Sequence, residues 1–493
     1  MDRRHFLSAV AALAAASSPT RAQGGPAARP FAASPEAIGR LGQRLARLDE
    51  DGLDPRTLHD AMSGADAGTI LRAAGLALAD LVQGRAAIPA SRADLRRDSA
   101  AHPLDPWLQQ LAQAAEPALV IERAALRHPE APALRAALAV ARARAAQGWA
   151  AVPAAGGTLE PGAFDAVRVP PLRARLAATD PVLATAPGQG DLYDEALQAA
   201  VRRFQASAGL EADGRIGPGT LGALNRSPQA LVNQLRVALD MRRGVALASS
   251  ERRIEVNIPD YRLVVLEGGR SLLDMAVVVG RPSRATPMMV TRLTGVQFNP
   301  PWGVPQRLAR EDLLPRLRRD AVAVQARGFR VYTVVEGERV EVDPTSIDWR
   351  TVNPDRFPYV IRQDSGDGNA LGRLKFIMPN GEDIYLHDTP DRAYFRRSDR
   401  AQSSGCIRLE RPMDFLALVT EGTLERSTAD GLLASRATSV TALRRTLPVR
   451  LHYATVTVEG TEARVRQDIY GLDEAYARQM DSRGNRMSLV ARS

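Results

Sequence analysis

The sequence predicts an α+β multidomain chain: an α-helical scaffold, a small helical domain set into it, and a mostly antiparallel β-sandwich domain at the end. Three observations carry this. Apolar residues recur at helical spacing to about residue 180. Residues 187–226 then form a stretch dense in Gly and Asp around one amphipathic helix. From Ile254 the period changes to alternation, with tight turns between short runs. A chain of 493 residues is long enough for several cores. Its 45% apolar and 25% charged content suits a folded, soluble chain.

The opening residues, "MDRRHFLSAVAALAAASSPTRAQGG", run from Arg3-Arg4 through a short apolar stretch to small residues at Ala22. That order is an export signal, with cleavage expected after Ala22, and the run is too short for a spanning helix. "DRRHFLS" resembles the twin-arginine export motif, which implies a bacterial periplasm. Residues 23–186 read as the helical scaffold, punctuated by Pro and Gly clusters. In residues 187–226 a helix from about Asp194 to Ser207 carries Leu197, Val201 and Phe204 on one face, stopped by Gly209. "ADGRIGPGT" turns into a second short helix, and residues 227–250 return to helical pattern, rejoining the scaffold. Residues 251–493 form the β domain. "RLVVLEGGRSLLDMAVVVG", "FRVYTVVEGERVEV" and "LKFIMPNGEDIYLHDT" read as hairpins. "VRLHYATVTVEGTEARVRQDIYG" supplies closing strands, and a helix at 412–420 starts on Pro412. No segment of the mature chain has the apolar run of a membrane span.

The formal charge is +9, or +7 once three arginines and one aspartate leave with residues 1–22. A basic exported chain suits an acidic polymer or a plain solvated surface, and export argues against a nucleic-acid partner. Cys406 is the only cysteine, so neither an internal disulfide nor a thiolate-rich zinc site can form. An inert thiol or a nucleophile remain, and the context decides.

His387 ends the strand of a tight hairpin, and fifteen residues separate it from Ser403, enough to loop out and return Cys406 beside the imidazole. A thiol with a pKa near 8.5 needs a base or a cation to become a thiolate. His387 can take the proton, and arginines at 392, 396, 397, 400, 408 and 411 make the surroundings electropositive. Ser404-Gly405 lets the backbone approach closely, and amides beside Cys406 can donate to an oxyanion. Tyr385 shares the strand face of His387 and helps shape that site. The other histidines (5, 59, 102, 128 and 452) lack such partners in sequence and take no role.

"H…SSGCIR", with His387, Ser403, Gly405, Cys406 and Arg408, resembles the catalytic signature of the YkuD-type L,D-transpeptidases. Ser404 departs from it, standing where many members carry a second His. Phe204, Gln205, Gly209, Leu210, Asp213, Gly214, Gly217 and Thr220 resemble the pattern of the type 1 peptidoglycan-binding domain. "NPPWGVP" from Asn299 to Pro305 and "DIYGLD" are similar to the large subgroup that joins both domains to a helical scaffold.

The resemblance implies that Cys406 attacks the carbonyl after the L-centre of diaminopimelate in a tetrapeptide stem and releases D-alanine. The diaminopimelate amine of a second stem then resolves the thioester, giving a 3→3 cross-link without a cofactor or metal. His387 serves as base and then acid, its ring held by a backbone carbonyl, so Asp388 has no triad role. Arg408 binds a stem carboxylate or makes a structural ion pair. Asn299 and Trp302 line the groove, with core packing the competing role for Trp302. Residues 308–372 resemble the subgroup's lid, and residues 187–226 would touch glycan or only space the halves. An L,D-carboxypeptidase resolving the thioester with water, or a non-catalytic envelope-binding protein, are the alternatives.

Overall fold

A computed structural model describes residues 32–58, 66–149, 151–245 and 250–482. The expected export segment and His59 lie outside the described residues. The chain divides into two compact units: residues 1–248 with 454–493, and residues 249–453. No helix among the described residues is long and apolar enough to cross a membrane.

In the first unit, α1 (Pro35–Ala46) starts where the Ser34 hydroxyl accepts from the Ala37 N–H, and it buries Ile38, Leu41 and Leu45. They pack with α2 (Ala67–Gln83), α3 (Asp105–Gln113) and α4 (Pro117–Ala125) in a core around Leu71, Leu78, Leu111 and Ile121. After α5 (Ala131–Gln147) a separate core forms. It joins Val169, Leu172 and Leu176 of α6 (Val169–Ala177) to Leu197 and Val201 of α7 (Glu195–Ser207) and Leu224 of α8 (Pro218–Leu224). The small domain therefore starts near Val152, not at residue 187 as the sequence suggests, because residues 152–183, α6 among them, supply half of its buried core. Its Phe-Gln pair has a physical reason. Gln205 is buried and donates to Asp213, the Arg215 carbonyl and Thr220, while accepting from the Gly214 N–H at 2.8 Å. One side chain thus pins the whole Asp-Gly turn, where Gly214 sits at φ 76°.

The next helix, α9 (Pro228–Met241), returns to pack on α5 through Val232, Leu235 and Leu239. The expectation for residues 454–482 is corrected. The hairpin Val456–Glu459/Glu462–Val465 and the helix Leu472–Asp481 belong to the helical unit, not to the sheet of residues 249–453. The reason is burial: Tyr476, Ala477 and Met480 fill the core of α1 to α4, and Val456 that of α5 and α9. The Asp468 carboxylate receives the Leu472 and Asp473 N–H groups, which starts that last helix.

The second unit is built on one sheet in the order β11-β3-β12-β10-β9-β4-β13-β1-β2. Its strands are β1 (Arg253–Asn257), β2 (Arg262–Glu267), β3 (Arg270–Gly280), β4 (Met289–Phe298), β9 (Leu374–Ile377), β10 (Leu386–His387), β11 (Ala401–Ser403), β12 (Ile407–Leu409) and β13 (Ser439–His452). Strand β3 also pairs with β2, so the sheet closes on itself. Most pairs are antiparallel, while β1–β13, β10–β12 and β11–β3 are parallel. Gly268 and Gly269, both at positive φ, make the β2–β3 turn. Phe376 and Phe415, the latter on α10 (Pro412–Val419), meet edge-on at 4.8 Å in the interior.

Between β4 and β9, β5 (Trp302–Val304), β6 (Phe329–Val335), β7 (Glu338–Val342) and β8 (Val360–Gln363) make a second sheet. It has its own core, with Leu313, Leu314, Leu317, Phe329, Val331, Trp349 and Ile361. The expected lid at 308–372 is thus a small folded subdomain that takes in Trp302–Val304 as well.

Candidate active site

The hairpin β9–β10 places His387 opposite Lys375, and the parallel pair β10–β12 places it opposite Arg408. Two residues earlier, Tyr385 accepts the Ile407 N–H at 3.1 Å, which brings it beside Cys406. Residues i and i+2 of a strand share a face, so Tyr385 and His387 project together, their rings 5.6 Å apart and edge-on. The Asn380 side chain bridges the hairpin end by donating to the Met378 and Ile384 carbonyls. The sequence therefore brings Cys406, Tyr385, His387 and Arg408 to one patch.

His387 is 4% exposed, and its Nδ1 meets the carbonyl of Asp388. A proton on Nδ1 would satisfy that carbonyl, and the backbone of Leu371 also reaches the ring. Burial first, then the Arg408 charge, holds its pKa down at about 3, so the ring stays neutral. The Asp388 carboxylate is occupied elsewhere, by the Arg373 and Thr389 N–H groups and by Arg392. It has no triad geometry.

The partly exposed Cys406 directs its Sγ toward the Asp383 carbonyl at 3.7 Å. Burial pushes the thiol pKa up, opposed by hydrogen bonding to Tyr385 and by the charges of Lys375 and Arg408. Burial likewise raises the Tyr385 phenol, as does Cys406 beside it, and Trp302 is in hydrogen-bonding reach of Tyr385. Lys375 went unnoticed in the sequence as a site residue. Its Nζ lies 4.0 Å from the Tyr385 ring centroid, and burial lowers its pKa. The available signal was its being the only lysine in the chain, two residues into the strand paired with that of His387.

The turn before Cys406 is held from several sides. Gly405 has φ 120°, open to glycine alone, and an added Cβ would meet Ile384 at 3.2 Å. Thr286, fully buried, accepts from the Gly280 N–H at 2.8 Å and donates to the Gly405 carbonyl at 2.7 Å. Ser403 accepts from the Gly405 N–H and donates to the Cys406 carbonyl. The Gly405 amide is thus not available to an oxyanion, contrary to the sequence expectation. The Cys406 N–H has no acceptor among the described residues and is the donor that remains. Ser404 contributes to scaffolding too, since its hydroxyl accepts from Arg284 at 2.9 Å. Arg284 also holds Asp312 at 2.7 Å and Glu311, tying the small subdomain to this turn.

Arg408 makes no carboxylate ion pair among the described residues. Its Nε is buried without an acceptor, and it lies 5.0 Å from the Tyr394 ring centroid. Trp302 packs edge-on against Phe329 in the core of the small subdomain and reaches Tyr385, so it borders the site. Asn299 is placed differently from the expected groove position. It is 1% exposed at φ 46°, donates to the Leu432 and Ala437 carbonyls, and accepts from Arg373. Its amide is consumed in bracing the backbone.

Comparison with known proteins fits this geometry. Residues 251–428 match the profile "L,D-transpeptidase catalytic domain" of the YkuD family, and residues 173–224 match "Putative peptidoglycan binding domain". The chain is 40% identical over 240 residues to a Haemophilus influenzae protein named "Putative L,D-transpeptidase", a match covering 48% of each. The chain thus spans about half the length of that relative. Crystal structures of L,D-transpeptidases from Xylanimonas cellulosilytica (14% identity, 61% of this chain and 100% of that one) and Stackebrandtia nassauensis (13%, 61% and 97%) align with TM-scores of 0.20. Scores that low add nothing to the assignment, which rests on the sequence matches. Residues 251–428 are thus similar to the L,D-transpeptidase catalytic domain of the YkuD family, and residues 173–224 to a peptidoglycan-binding domain.

Proposed function

We propose that the chain transfers acyl groups between peptidoglycan stem peptides through a cysteinyl thioester, forming 3→3 cross-links in the periplasm. The observation that supports this most is the placement of His387: its Nδ1 meets the Asp388 carbonyl, and its ring stands on the strand paired with the one that follows Cys406. Cys406 Sγ attacks the carbonyl after the L-centre of diaminopimelate in a tetrapeptide donor, while His387 Nε2 takes the thiol proton. The carbon–nitrogen bond to D-alanine breaks, and His387 returns that proton to the leaving amine. The diaminopimelate amine of a second stem then attacks the thioester and releases the thiol. The Cys406 N–H supports the oxyanion, and Arg408, free of a carboxylate partner, receives a stem carboxylate. Residues 187–226 contribute contact to glycan.

The test is mass spectrometry of muropeptides after incubation with the full chain and with Cys406→Ala. The expected result is cross-linked dimer plus D-alanine from the wild type alone. D-alanine without dimer would assign the enzyme to carboxypeptidation, and products unchanged in Cys406→Ala would overturn the mechanism. A carbapenem adduct on Cys406 separates an active thiol from a non-catalytic binding protein.

A further inference from the structure

The helical unit contains a cavity of about 760 Å³, far from any residue of the cysteine site in sequence and wholly within residues 144–466 of that unit. Six arginines line it: Arg144 of α5, Arg175 of α6, Arg203 of α7, Arg226 ahead of α9, and Arg464 and Arg466 of the C-terminal hairpin region, Arg464 being paired with Glu459 at 2.8 Å. Only two carboxylates share the wall, Asp180 and Glu462. Asp180 is already paired with Arg203 at 2.7 Å. Arg226 donates to neutral acceptors, the Gln234 amide oxygen and the Arg466 carbonyl.

Arg175 is the informative member. It is 7% exposed, has no carboxylate partner among the described residues, and gives its Nε to the Leu224 carbonyl at 3.2 Å. Its Nη1 is buried with no acceptor. The guanidinium lies 3.6 Å from the Trp149 ring centroid and 5.9 Å from that of Phe204. Burial first, and then Arg144, lowers its pKa to about 10. A buried cation lacking a counter-ion is costly, and buried polar groups without partners are uncommon enough to need a cause. A planar carboxylate is the group that a guanidinium fork matches in two parallel hydrogen bonds. The volume falls in the ordinary range of small-ligand sites and exceeds what one small acid fills.

We propose that this cavity binds an acidic ligand of short-peptide size, its carboxylates received by Arg175 and its neighbours and its apolar part by Trp149 and Phe204. The ligand would join the scaffold, the small domain and the C-terminal hairpin, since each supplies a guanidinium. The inference does not depend on the cysteine chemistry.

Calorimetric titration of the full chain with tri-glutamate, tricarballylate and inorganic phosphate at low salt tests it. The expected order is tri-glutamate tightest, tricarballylate weaker and phosphate weakest. Arg175→Met should lower tri-glutamate affinity by about tenfold or more. Arg464→Gln, at a half-exposed position, should lower it several-fold. Arg215→Gln removes one positive charge outside the cavity and should leave binding unchanged. Thermal unfolding of each variant identifies loss of fold, in which case Arg464→Gln alone carries the test. Equal losses in Arg215→Gln and Arg464→Gln, phosphate binding as tightly as tri-glutamate, tricarballylate binding tighter than the peptide, or no binding at all would each overturn the proposal.

Discussion

Replacing Lys375 by methionine keeps most of the side-chain length and removes the cation two strands from Cys406. Strands lie about 4.8 Å apart, so the separation of charge and sulfur is on the order of 8 Å. At an effective dielectric constant of about 20 that charge favours the thiolate by roughly 2 kcal/mol, and screening at a partly exposed thiol leaves about 1 kcal/mol. The thiol already sits above its ordinary pKa because it is buried, so at pH 7 it is mostly protonated. His387, near 3, brings no imidazolium to form an ion pair with it. The assay is the rate of alkylation by neutral iodoacetamide against pH, in which the single cysteine guarantees one product. Wild type should accelerate about tenfold per pH unit from about 6 to 7.5, without a shoulder. Lys375→Met should shift the curve to higher pH by about 0.7 units, a fall of about fivefold at fixed pH, and Lys375→Arg should restore it. A plateau between pH 4 and 7 would mean a pre-formed thiolate–imidazolium pair and refute the electrostatic reading. A Lys375→Met curve lying on that of wild type would refute the role of the lysine.

Other perturbations reach different parts of the fold. Thr286→Val keeps the shape but leaves the buried Gly280 N–H and Gly405 carbonyl unpaired, so denaturant unfolding should show a loss of about 2–4 kcal/mol and a slower Cys406. Gly280→Ala has no such latitude, because its Cβ would stand 2.2 Å from the Arg284 carbonyl oxygen and 2.6 Å from the Thr286 nitrogen; loss of soluble protein or of thiol reactivity is expected. Arg284→Met cuts the link from the Ser404 turn to Glu311 and Asp312, and hydrogen exchange in residues 302–363 should rise with little change elsewhere. In the helical unit burial, and then Asp468, raises Asp473 to about 7, well above its unfolded value. The folded chain therefore binds the extra proton between about pH 4 and 7, and stability should fall as pH rises across that window. Asp473→Asn should flatten that slope in thermal unfolding.

What the sequence disclosed depended on whether the relevant physics was local. The Gly268-Gly269 hairpin, the helix beginning at Asp194 and the strand carrying Tyr385 and His387 rest on turn chemistry, capping and period, all readable within a few residues. Cys406 stood out through its neighbours and its singularity. Asn299 was misplaced because its surroundings come from Leu432 and Ala437, more than a hundred residues away. Lys375 was missed for a similar reason: its importance lies in cross-strand register, and nothing beside it in sequence marks it. The hairpin at 456–465 alternates like any strand pair, and alternation does not say which core receives its apolar face. The same held for α6, whose helical period was plain while its partners were not.

The sharing of Tyr476, Ala477 and Met480 with a core begun by Ile38 and Leu41 has a bearing on synthesis. Domains generally fold as units while the chain emerges, N-terminal parts first. Here the helices from α1 to α4 leave the ribosome with a gap in their interior that closes only when the helix Leu472–Asp481 arrives. Every strand of the sheet of residues 249–453, by contrast, has been made by residue 452. The natural order of maturation is then reversed, with the middle of the polypeptide completed before its beginning. Stalled or shortened products would contain an ordered second unit and an unfinished first one.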